Sequence, residues 1–366
     1  MTVSRRHFAL SAGAFALAAG PAFARASGKA KASPAPKEVQ ARSPLLSYEG
    51  RTADMGDGTV RAGFPGVVLR TRFDGTKLTL KTAASSDNLY LDISVDGGAP
   101  KMVHLAKGAQ QLVAFEGTAG THTVEIARRN ESWEGVWDIA GATVEGGGFV
   151  TPPDLPAKKL MFIGDSITCG AACDVARDDP REDMTVNNAQ KTYAKLLAKR
   201  LNTQVHLVSY GGRGLIRDWQ GIRDTNNAPQ FYERAAPDEA GPLWNPANYV
   251  PDAIGIMLGQ NDFNQGIPDQ NEFVNAYVEF VEKVRRDAPK AVVFLIDTPI
   301  ATDDAIPRRT VLQAYIDEVV RRLRSPLVSH ANIKHYAGRP ANGHPIAEDH
   351  IGIADELEPL FKKALG

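Results

Sequence analysis

The sequence predicts two domains: an all-β sandwich over residues 45–150, followed by a three-layer α/β domain with a parallel sheet over residues 157–366. The chain has 366 residues, more than the roughly 100–200 of one ordinary domain. Apolar and polar residues alternate in the first region, whereas short apolar runs alternate with helical spacings in the second. Hydrophobic residues at 43% and charged residues at 23% are ordinary for globular proteins, which excludes a mostly disordered or fibrous chain.

The first 26 residues have the order of a targeting signal. The pair Arg5-Arg6 precedes an apolar stretch over residues 8–19, and the small-residue pattern Ala22-Phe23-Ala24 follows it. This order predicts a cleaved signal peptide over residues 1–26, and the paired arginines predict export by the twin-arginine machinery. The alternative is an uncleaved anchor, but these 12 apolar residues fall short of the roughly 20 that span a bilayer. We therefore expect a periplasmic or secreted protein whose mature form has no membrane span.

Residues 27–44 separate the predicted signal from the first domain. They contain Ser, Pro, Ala and Lys and almost no large apolar side chain. Such a segment buries too little surface to order itself, so we predict a linker.

Alternation at period two predicts the strands of the first domain. Apolar residues occupy every second position over 89–95, and residues 121–126 alternate in the same way. Turn signals such as Asp74-Gly75 and Asp96-Gly97-Gly98 separate the runs. Because no helical spacing intervenes, the region is predicted to be an all-β sandwich.

A boundary near residues 150–157 is marked by three glycines at 146–148 and by Pro152, Pro153 and Pro156. Short apolar runs of the kind that form strands buried on both faces follow it at 160–163, 205–208, 253–258 and 291–296. Wide apolar helix faces lie between or after them at 273–284 and 311–323. This order predicts a parallel sheet covered by helices on both faces, with the site beyond the carboxyl ends of the strands.

Composition excludes several function classes. The formal net charge of −1 gives no bulk positive field for nucleic acid or for an anionic membrane. Two cysteines are too few for a disulfide framework or a four-thiolate zinc site. Cys169 and Cys173 are four residues apart, and the sequence leaves open whether they pair or remain free thiols.

The first apolar run of the second domain leads directly into Gly164-Asp165-Ser166-Ile167-Thr168. A serine hydroxyl at this point lies where a buried strand emerges, which is a position for a nucleophile. The alternative is that Ser166 caps the next helix, as serines after strands often do. The pentapeptide by itself does not decide between the two.

The next two strand ends carry the parts of an oxyanion hole. The second run ends in Gly211-Gly212, and the third ends in Gly259-Gln260-Asn261-Asp262. A glycine N–H and an uncharged carboxamide are suitable donors to a developing oxyanion. The alternative is a glycine turn and a helix cap, but three strand ends with this chemistry coincide. No glycine-rich nucleotide-binding pattern fits these residues.

A serine nucleophile needs a base, and the chain contains eight histidines. His344, in the loop Asn342-Gly343-His344-Pro345 before the final helix, is the best candidate, because a loop beyond the last strand is free to reach the first strand end. His330 and His335 lie in or near the last apolar run and are expected to be structural.

These blocks resemble, in order and spacing, the four motif blocks of the SGNH (GDSL-like) hydrolase family. They are Gly164-Asp165-Ser166-Ile167-Thr168, the Gly212 turn, Gly259-Gln260-Asn261-Asp262 and His344-Pro345. The β-rich region also resembles the amino-terminal sandwich of family 2 carbohydrate esterases, through residues 120–125 and 128–131. The resemblance implies a jelly roll followed by a flavodoxin-like SGNH domain that removes acetyl groups from polysaccharides such as xylan or glucomannan.

Carried onto this chain, the resemblance implies that Ser166 is the nucleophile and His344 the general base. The Ser166 N–H, the Gly212 N–H and the Asn261 side chain would hold the oxyanion, with no metal or cofactor. For substrate binding we expect Trp219, close after the glycine turn, and Asp262. Trp133 and Glu131 would contribute only if the sandwich leans over the cleft.

The chain departs from the family pattern at two positions. Many members place an Asp three residues before the histidine, but position 341 is Ala here. Some family 2 esterases work as a Ser-His dyad in which backbone carbonyls orient the imidazole, so the resemblance implies a dyad here, with Glu348 and Asp349 as the alternative partners of the histidine. Gly343 stands where members often have an aromatic residue that clamps the sugar, which indicates a more open subsite.

Three functions remain in competition at this point. The leading one is a polysaccharide O-acetyl esterase, and a second is an SGNH lipase or thioesterase that prefers longer acyl chains. The third is a carbohydrate-binding protein without activity, which the complete set of four blocks disfavours. Acetylated bacterial envelope or exopolysaccharides are the alternative to plant polymers.

Overall fold

A computed structural model describes residues 35–237 and 241–366. The predicted signal peptide and the predicted linker up to residue 34 lie outside the described residues. The remainder forms an antiparallel sheet followed by a parallel sheet flanked by helices. This architecture confirms the predicted fold class.

The antiparallel sheet contains ten strands: β1 (Glu38–Gln40), β2 (Leu46–Glu49), β3 (Ala53–Asp54), β4 (Val60–Ala62), β5 (Val68–Ala84), β6 (Leu89–Val95), β7 (Lys101–Leu105), β8 (Gly108–Arg128), β9 (Trp137–Glu145) and β10 (Gly148–Val150). The hydrogen-bonded order is β3-β4-β9-β5-β8-β6-β7, with β1 on β9 and with β2 and β10 on β5. We call residues 35–150 the β-domain.

Two long strands, β5 and β8, curl this sheet into two layers. The first half of β5 pairs with β2 and β10, and its second half pairs with β9. The β5–β8 ladder shifts register between Gly75 and Lys77 and again between Leu78 and Thr79. Such bulges bend a strand and increase its twist. The two halves therefore face one apolar core, which includes Leu69, Phe73, Leu80, Ile126, Trp137 and Phe149.

The structure differs from the sequence prediction at the linker over residues 27–44. Glu38–Gln40 forms strand β1, antiparallel to β9, with Val39 opposite Ala142. Val39 is buried, and Ala41 just after it has no exposed surface. One buried valine among small and polar residues is too short a pattern to predict a strand, and the pairing comes from β9, about 100 residues away.

The parallel sheet contains β11 (Lys159–Gly164), β12 (Gln204–Ser209), β13 (Ala253–Met257), β14 (Val292–Ile296) and β15 (Val328–Ala331). The helices are α1 (Ser166–Cys169), α2 (Tyr193–Arg200), α3 (Ala228–Tyr232), α4 (Gln260–Asn264), α5 (Gln270–Asp287), α6 (Arg308–Leu323) and α7 (Ala347–Leu365). The strand order β12-β11-β13-β14-β15 is that of a flavodoxin-like sheet. The order reverses at β11, and ligands bind beside such a reversal.

Helices cover both faces of this sheet. Met161 and Ile163 of β11 pack in a core that α5 and α6 share. Leu160 and Phe162 point to the opposite face and pack with α2 and α7. The alternation follows from the period of two along a strand. Among the helices of the described residues, none is both long and apolar enough to cross a membrane.

Buried polar contacts join the β-domain to the α/β domain. Nζ of Lys195 lies 3.0 Å from Glu49 Oε1, and both side chains are buried. Arg129 bonds Asp92 within the β-domain and reaches Asp174 of the other domain at 2.6 Å. Because a buried charge without its partner is costly, these pairs favour one fixed arrangement of the domains.

Candidate active site

Ser166 is the first residue of the single-turn helix α1, directly after β11. The side chain of Asp165, rather than that of Ser166, caps this helix, because Asp165 Oδ1 accepts from the Ile167 N–H at 3.0 Å. The Ser166 hydroxyl is therefore available, and its Oγ lies 2.9 Å from Nε2 of His344. Gly164 is required before it, since a β carbon there would lie 2.2 Å from Thr168 Oγ1. This geometry favours the nucleophile interpretation over the cap.

His344 reaches Ser166 from the far side of the sheet, on the loop between β15 and α7. Arg339 holds this loop by two hydrogen bonds. Its guanidinium donates to the main-chain oxygen of Arg181 at 2.7 Å, and its main-chain N–H donates to His344 O at 2.9 Å. Arg177 holds it from the other side by donating to Gly338 O at 2.7 Å. The two arginines thus position the imidazole over the end of β11.

No carboxylate of the described chain bonds the second ring nitrogen of His344. Its Nδ1 is buried without a hydrogen-bond partner there. The two oxygens of Asp349 accept from Arg177 at 2.7 Å and from the Ile346 N–H at 3.1 Å, and Glu348 is exposed. Burial lowers the pKa of His344, and its interaction with the main-chain carbonyl of Asn342 opposes that shift.

Gly212 and Asn261 follow β12 and β13, the two strands that flank β11. Gly212 has φ +76, and a β carbon there would lie 2.9 Å from Trp219 Cδ1, so the position requires glycine on both grounds. Nδ2 of Asn261 lies 2.9 Å from Arg213 O and 3.2 Å from Asp165 Oδ2. The three strand ends therefore bring the predicted nucleophile and oxyanion donors to one edge of the sheet.

Asp165 has a role that sequence reasoning missed. Besides capping α1, it holds the Asn261 carboxamide from one side. Burial raises the pKa of Asp165 to about 7, with a further contribution from the charge of Asp262, while the bond from the Ile167 N–H opposes the shift. Its position between Gly164 and Ser166 was the available signal, because the motif places it directly after β11, beside the end of β13 that carries Asn261.

Asp262 does not contact the pocket, which contradicts its predicted role in substrate binding. Its side chain is fully buried and accepts from the N–H groups of Leu215, Ile216 and Arg217 at 2.8–3.2 Å. A carboxylate that is occupied by main-chain donors in this way holds the loop after Gly212 in place. The burial of α4 turns Asp262 inward, which the neighbouring residues in the sequence do not reveal.

A cavity of about 540 Å³ opens over these residues. Trp219 lines it with 51% of its surface exposed, as expected for a residue that can contact substrate. The β-domain also reaches the cavity, through Trp133 at 49% exposure and through buried Glu131. Sequence reasoning left this contribution open. The remaining walls include Tyr210, Arg213, Gln260, Ile300 and Asn342.

The two cysteines are free and buried beside the site. Cys169 Sγ donates to Ser209 Oγ at 3.3 Å, and Cys173 Sγ donates to Asn188 O at 3.0 Å. Burial raises the pKa of both thiols, so neither is an activated nucleophile. Within residues 35–237 and 241–366, no group of three or more His, Cys, Asp or Glu side chains is placed to hold a metal ion.

Comparisons with known proteins match both domains. The carbohydrate esterase 2 N-terminal family matches residues 48–153, and the GDSL-like lipase/acylhydrolase family matches residues 162–336. An acetylxylan esterase / glucomannan deacetylase from Cellvibrio japonicus is 35% identical over 330 residues, covering 89% of this chain and 91% of that protein.

Two solved structures share the complete architecture. A family two carbohydrate esterase from Cellvibrio japonicus has a TM-score of 0.85 at 35% identity, covering 90% of this chain and 97% of that one. A family two carbohydrate esterase from Clostridium thermocellum in complex with cellohexaose has a TM-score of 0.81 at 24% identity, covering 88% and 99%. The likeness therefore extends over both domains, and the chain belongs to the family 2 carbohydrate esterases, with a GDSL-type hydrolase domain.

Proposed function

We propose that this protein is a serine esterase that removes O-acetyl groups from polysaccharides of the acetylxylan or acetylglucomannan class. The observation that carries the proposal is the 2.9 Å contact between Ser166 Oγ and His344 Nε2, next to two candidate oxyanion donors. The Cellvibrio japonicus relative is named for this activity and is 35% identical over almost the whole chain.

The reaction proceeds through an acetyl-serine. Ser166 Oγ attacks the acetyl carbonyl carbon while His344 Nε2 accepts the hydroxyl proton. The bond between the acetyl carbon and the sugar oxygen then breaks, and the sugar oxygen leaves with the proton from His344. Water repeats the sequence on the acetyl-serine, giving acetate and free Ser166. No step needs a metal or a redox cofactor.

Three donors stabilise the tetrahedral oxyanion in this proposal: the N–H groups of Ser166 and Gly212 and the carboxamide of Asn261. Arg213 O and Asp165 already hold the Asn261 amide. The contact to Asp165 is the longer of the two, at 3.2 Å, and we propose that this N–H turns to the oxyanion. Arg213 O keeps the other amide hydrogen, at an N···O distance of 2.9 Å, so only the N–H that bonds Asp165 changes partner when the oxyanion forms.

Trp219 is the proposed sugar-contacting residue. Its indole packs against Gly212 and keeps about half of its surface free in the cavity. The Clostridium thermocellum relative, solved in complex with cellohexaose, has the same fold with a glycan bound. Gly343 adds no side chain above the cavity, which supports an open subsite that admits a polymer.

For location, we propose export through the twin-arginine pathway with removal of residues 1–26, followed by a linker that ends before β1. The paired arginines and the apolar stretch support this. A periplasmic or secreted esterase would meet its polymer outside the cytoplasm.

Acid pH is expected to inactivate the enzyme only near pH 4. Burial, helped by the positive charge of Arg339 and opposed by the Asn342 carbonyl, lowers the pKa of His344 from 6.5 to about 4. The neutral imidazole is the form that accepts the proton, so activity is present above this pKa and is lost below it. The measurement is kcat/KM for 4-nitrophenyl acetate against pH, with circular dichroism at each pH to confirm folding. A midpoint near 6.5 would contradict the assigned environment of His344.

Asp349→Asn and Glu348→Gln are each expected to keep kcat within about threefold of wild type, because His344 works without a carboxylate. Asp349 is occupied by Arg177 and by the Ile346 N–H, and asparagine can still accept from one of them. The measurement is kcat and the pH profile of the two variants. If either variant lost on the order of 10³ in kcat, the protein would use a triad.

The deciding experiment is acetate release from acetylated xylan and acetylated glucomannan by residues 27–366, with Ser166→Ala as the matched control. Release by wild type and none by Ser166→Ala supports the proposal. If neither polymer reacts but 4-nitrophenyl acetate is cleaved in a Ser166-dependent way, the polymer class is wrong and bacterial glycans are tested next. A preference for long acyl chains would favour the lipase alternative, and failure on every ester would refute esterase activity.

A further inference from the structure

A turn of the β-domain forms one wall of the catalytic cavity. It consists of Glu131 and the 3₁₀ helix Ser132–Glu134, and we call it the 131–134 turn. Glu131 and Trp133 line the same cavity as Ser166. The inference below rests on the esterase function proposed above.

Buried hydrogen bonds hold this turn against the parallel sheet. The fully buried guanidinium of Arg128 donates to Glu131 O at 2.7 Å and to Gly135 O at 2.5 Å. Ser132 Oγ donates to Ser209 O, the last residue of β12, at 2.6 Å. The turn is therefore fixed directly beside the strand end that leads to Gly211 and Gly212.

The Glu131 side chain lies against the backbone of Gly211. A β carbon at Gly211 would lie 1.8 Å from Glu131 Oε2 and 3.1 Å from Trp133 Nε1. The next residue, Gly212, packs against Trp219. Side chains from both domains thus pack against two consecutive glycines. The second glycine, Gly212, carries the proposed oxyanion donor.

The surroundings of Glu131 favour its neutral, protonated form. The residue is 4% exposed, and its Oε2 is buried with no hydrogen-bond partner among the described residues. Burial raises its pKa well above 4.5, and the charges of Glu134 and Asp165 raise it further, while contacts with Trp133 and Cys169 act in the opposite direction. The guanidinium of Arg128 donates to main-chain carbonyl oxygens, and the Glu134 carboxylate accepts from the Glu131 N–H at 2.9 Å.

Neutrality matters because negative charge develops nearby during catalysis. A carboxylate packed against Gly211 would repel the oxyanion that the Gly212 N–H is placed to bind. A neutral carboxyl of the same shape supports the glycine turn without that repulsion. The support of the turn follows from the contact with Gly211, and the neutral form of Glu131 follows from its burial. Neither requires contact with substrate.

We propose that Glu131, as the uncharged acid, is a positioning residue that holds the Gly211–Gly212 turn in its oxyanion-binding conformation. The β-domain is then part of the catalytic apparatus, since it supplies the support for one of the oxyanion donors. Glutamine has nearly the same shape and no charge, so it preserves this function, whereas alanine leaves the turn unsupported.

The test compares Glu131→Gln with Glu131→Ala, using 4-nitrophenyl acetate. We expect Glu131→Gln to keep kcat within about threefold, and Glu131→Ala to lower kcat by about tenfold or more with KM changed less than about twofold. Phe73→Leu, in the β-domain core, is the control for destabilisation and is expected to keep wild-type kcat. If Glu131→Ala does not fold, Glu131→Asn, which is uncharged but one methylene shorter, replaces it and is expected to lower kcat in the same direction.

Infrared spectroscopy at neutral pH tests the protonation state independently of activity. The wild type should show the carbonyl stretch of protonated, buried carboxyl groups. The difference spectrum between wild type and Glu131→Gln should contain the band of Glu131, whereas the contribution of Asp165, whose pKa is about 7, cancels. An unchanged spectrum, wild-type kcat in the alanine variant, or equal losses in both variants would overturn the inference. If the wild type hydrolyses no ester, the proposed function fails, and the rate of Ser166 labelling by a fluorophosphonate then replaces kcat in the same comparison.

Discussion

Replacing Ser166 with alanine is expected to lower kcat for acetyl release by on the order of 10⁴-fold or more, with the fold unchanged. In the proposed mechanism the hydroxyl forms the acyl bond. Among the described residues the neighbouring thiol of Cys169 does not replace it, because its pKa is raised and it is fully buried. The helix cap is unaffected, since Asp165 provides it.

His344→Ala is expected to cost about as much, and the double variant should be little slower than either single variant, because the two groups act as a unit. Burst kinetics and acetate release measure these losses, and Ser329→Ala, an exposed serine on β15, is the matched control. Additive losses in the double variant would show that Ser166 and His344 do not act together.

Asn261→Ala is expected to lower kcat by roughly 10²–10³-fold, which is typical of removing one oxyanion donor. The carboxamide stands at the end of β13, where Arg213 O holds one of its hydrogens, and in the proposal the N–H that bonds Asp165 turns to the oxyanion. Alanine removes the donor and leaves the two backbone donors in place, so residual activity should remain above that of Ser166→Ala.

Steady-state kinetics distinguish this role from substrate binding, since the loss should fall on kcat with little change in KM. The control is Asn248→Ala, an exposed asparagine outside the cavity lining. Thermal unfolding should show a folded Asn261→Ala protein, because Arg213 O faces a cavity that water can enter. Wild-type turnover in Asn261→Ala would remove this residue from the oxyanion site.

The common location of Ser166, Gly212 and Asn261 could be predicted from the sequence because each follows a buried strand, and the family resemblance supplied their proposed roles. In a parallel sheet the carboxyl ends of neighbouring strands meet at one edge, so strand order alone brings these residues together. The order β12-β11-β13 does so here. His344 lay beyond such reasoning, since it follows the far strand β15, and it was found through the loop position and the family motif.

The contributions of the β-domain could be expected from sequence only as a possibility. Glu131 and Trp133 lie in a turn that carries no catalytic motif. They reach the cavity because Arg128 holds the turn from within the β-domain and Ser132 bonds Ser209 across the domain boundary. Strand β1 was missed for a similar reason, because its pairing partner is far away in sequence.

By itself, the sequence determined the two fold classes, the order of the strands and helices and the strand-end positions of the proposed nucleophile and oxyanion donors, because periodicity and turn residues are local properties. The tertiary structure decided that Asp165 caps α1, that Asp262 turns inward to three main-chain N–H groups, and that Asp349 bonds Arg177. It also placed Glu131 against Gly211. The physical reason is that one carboxylate can satisfy any of several donors, and only packing and loop closure over long sequence separations select which donor it meets.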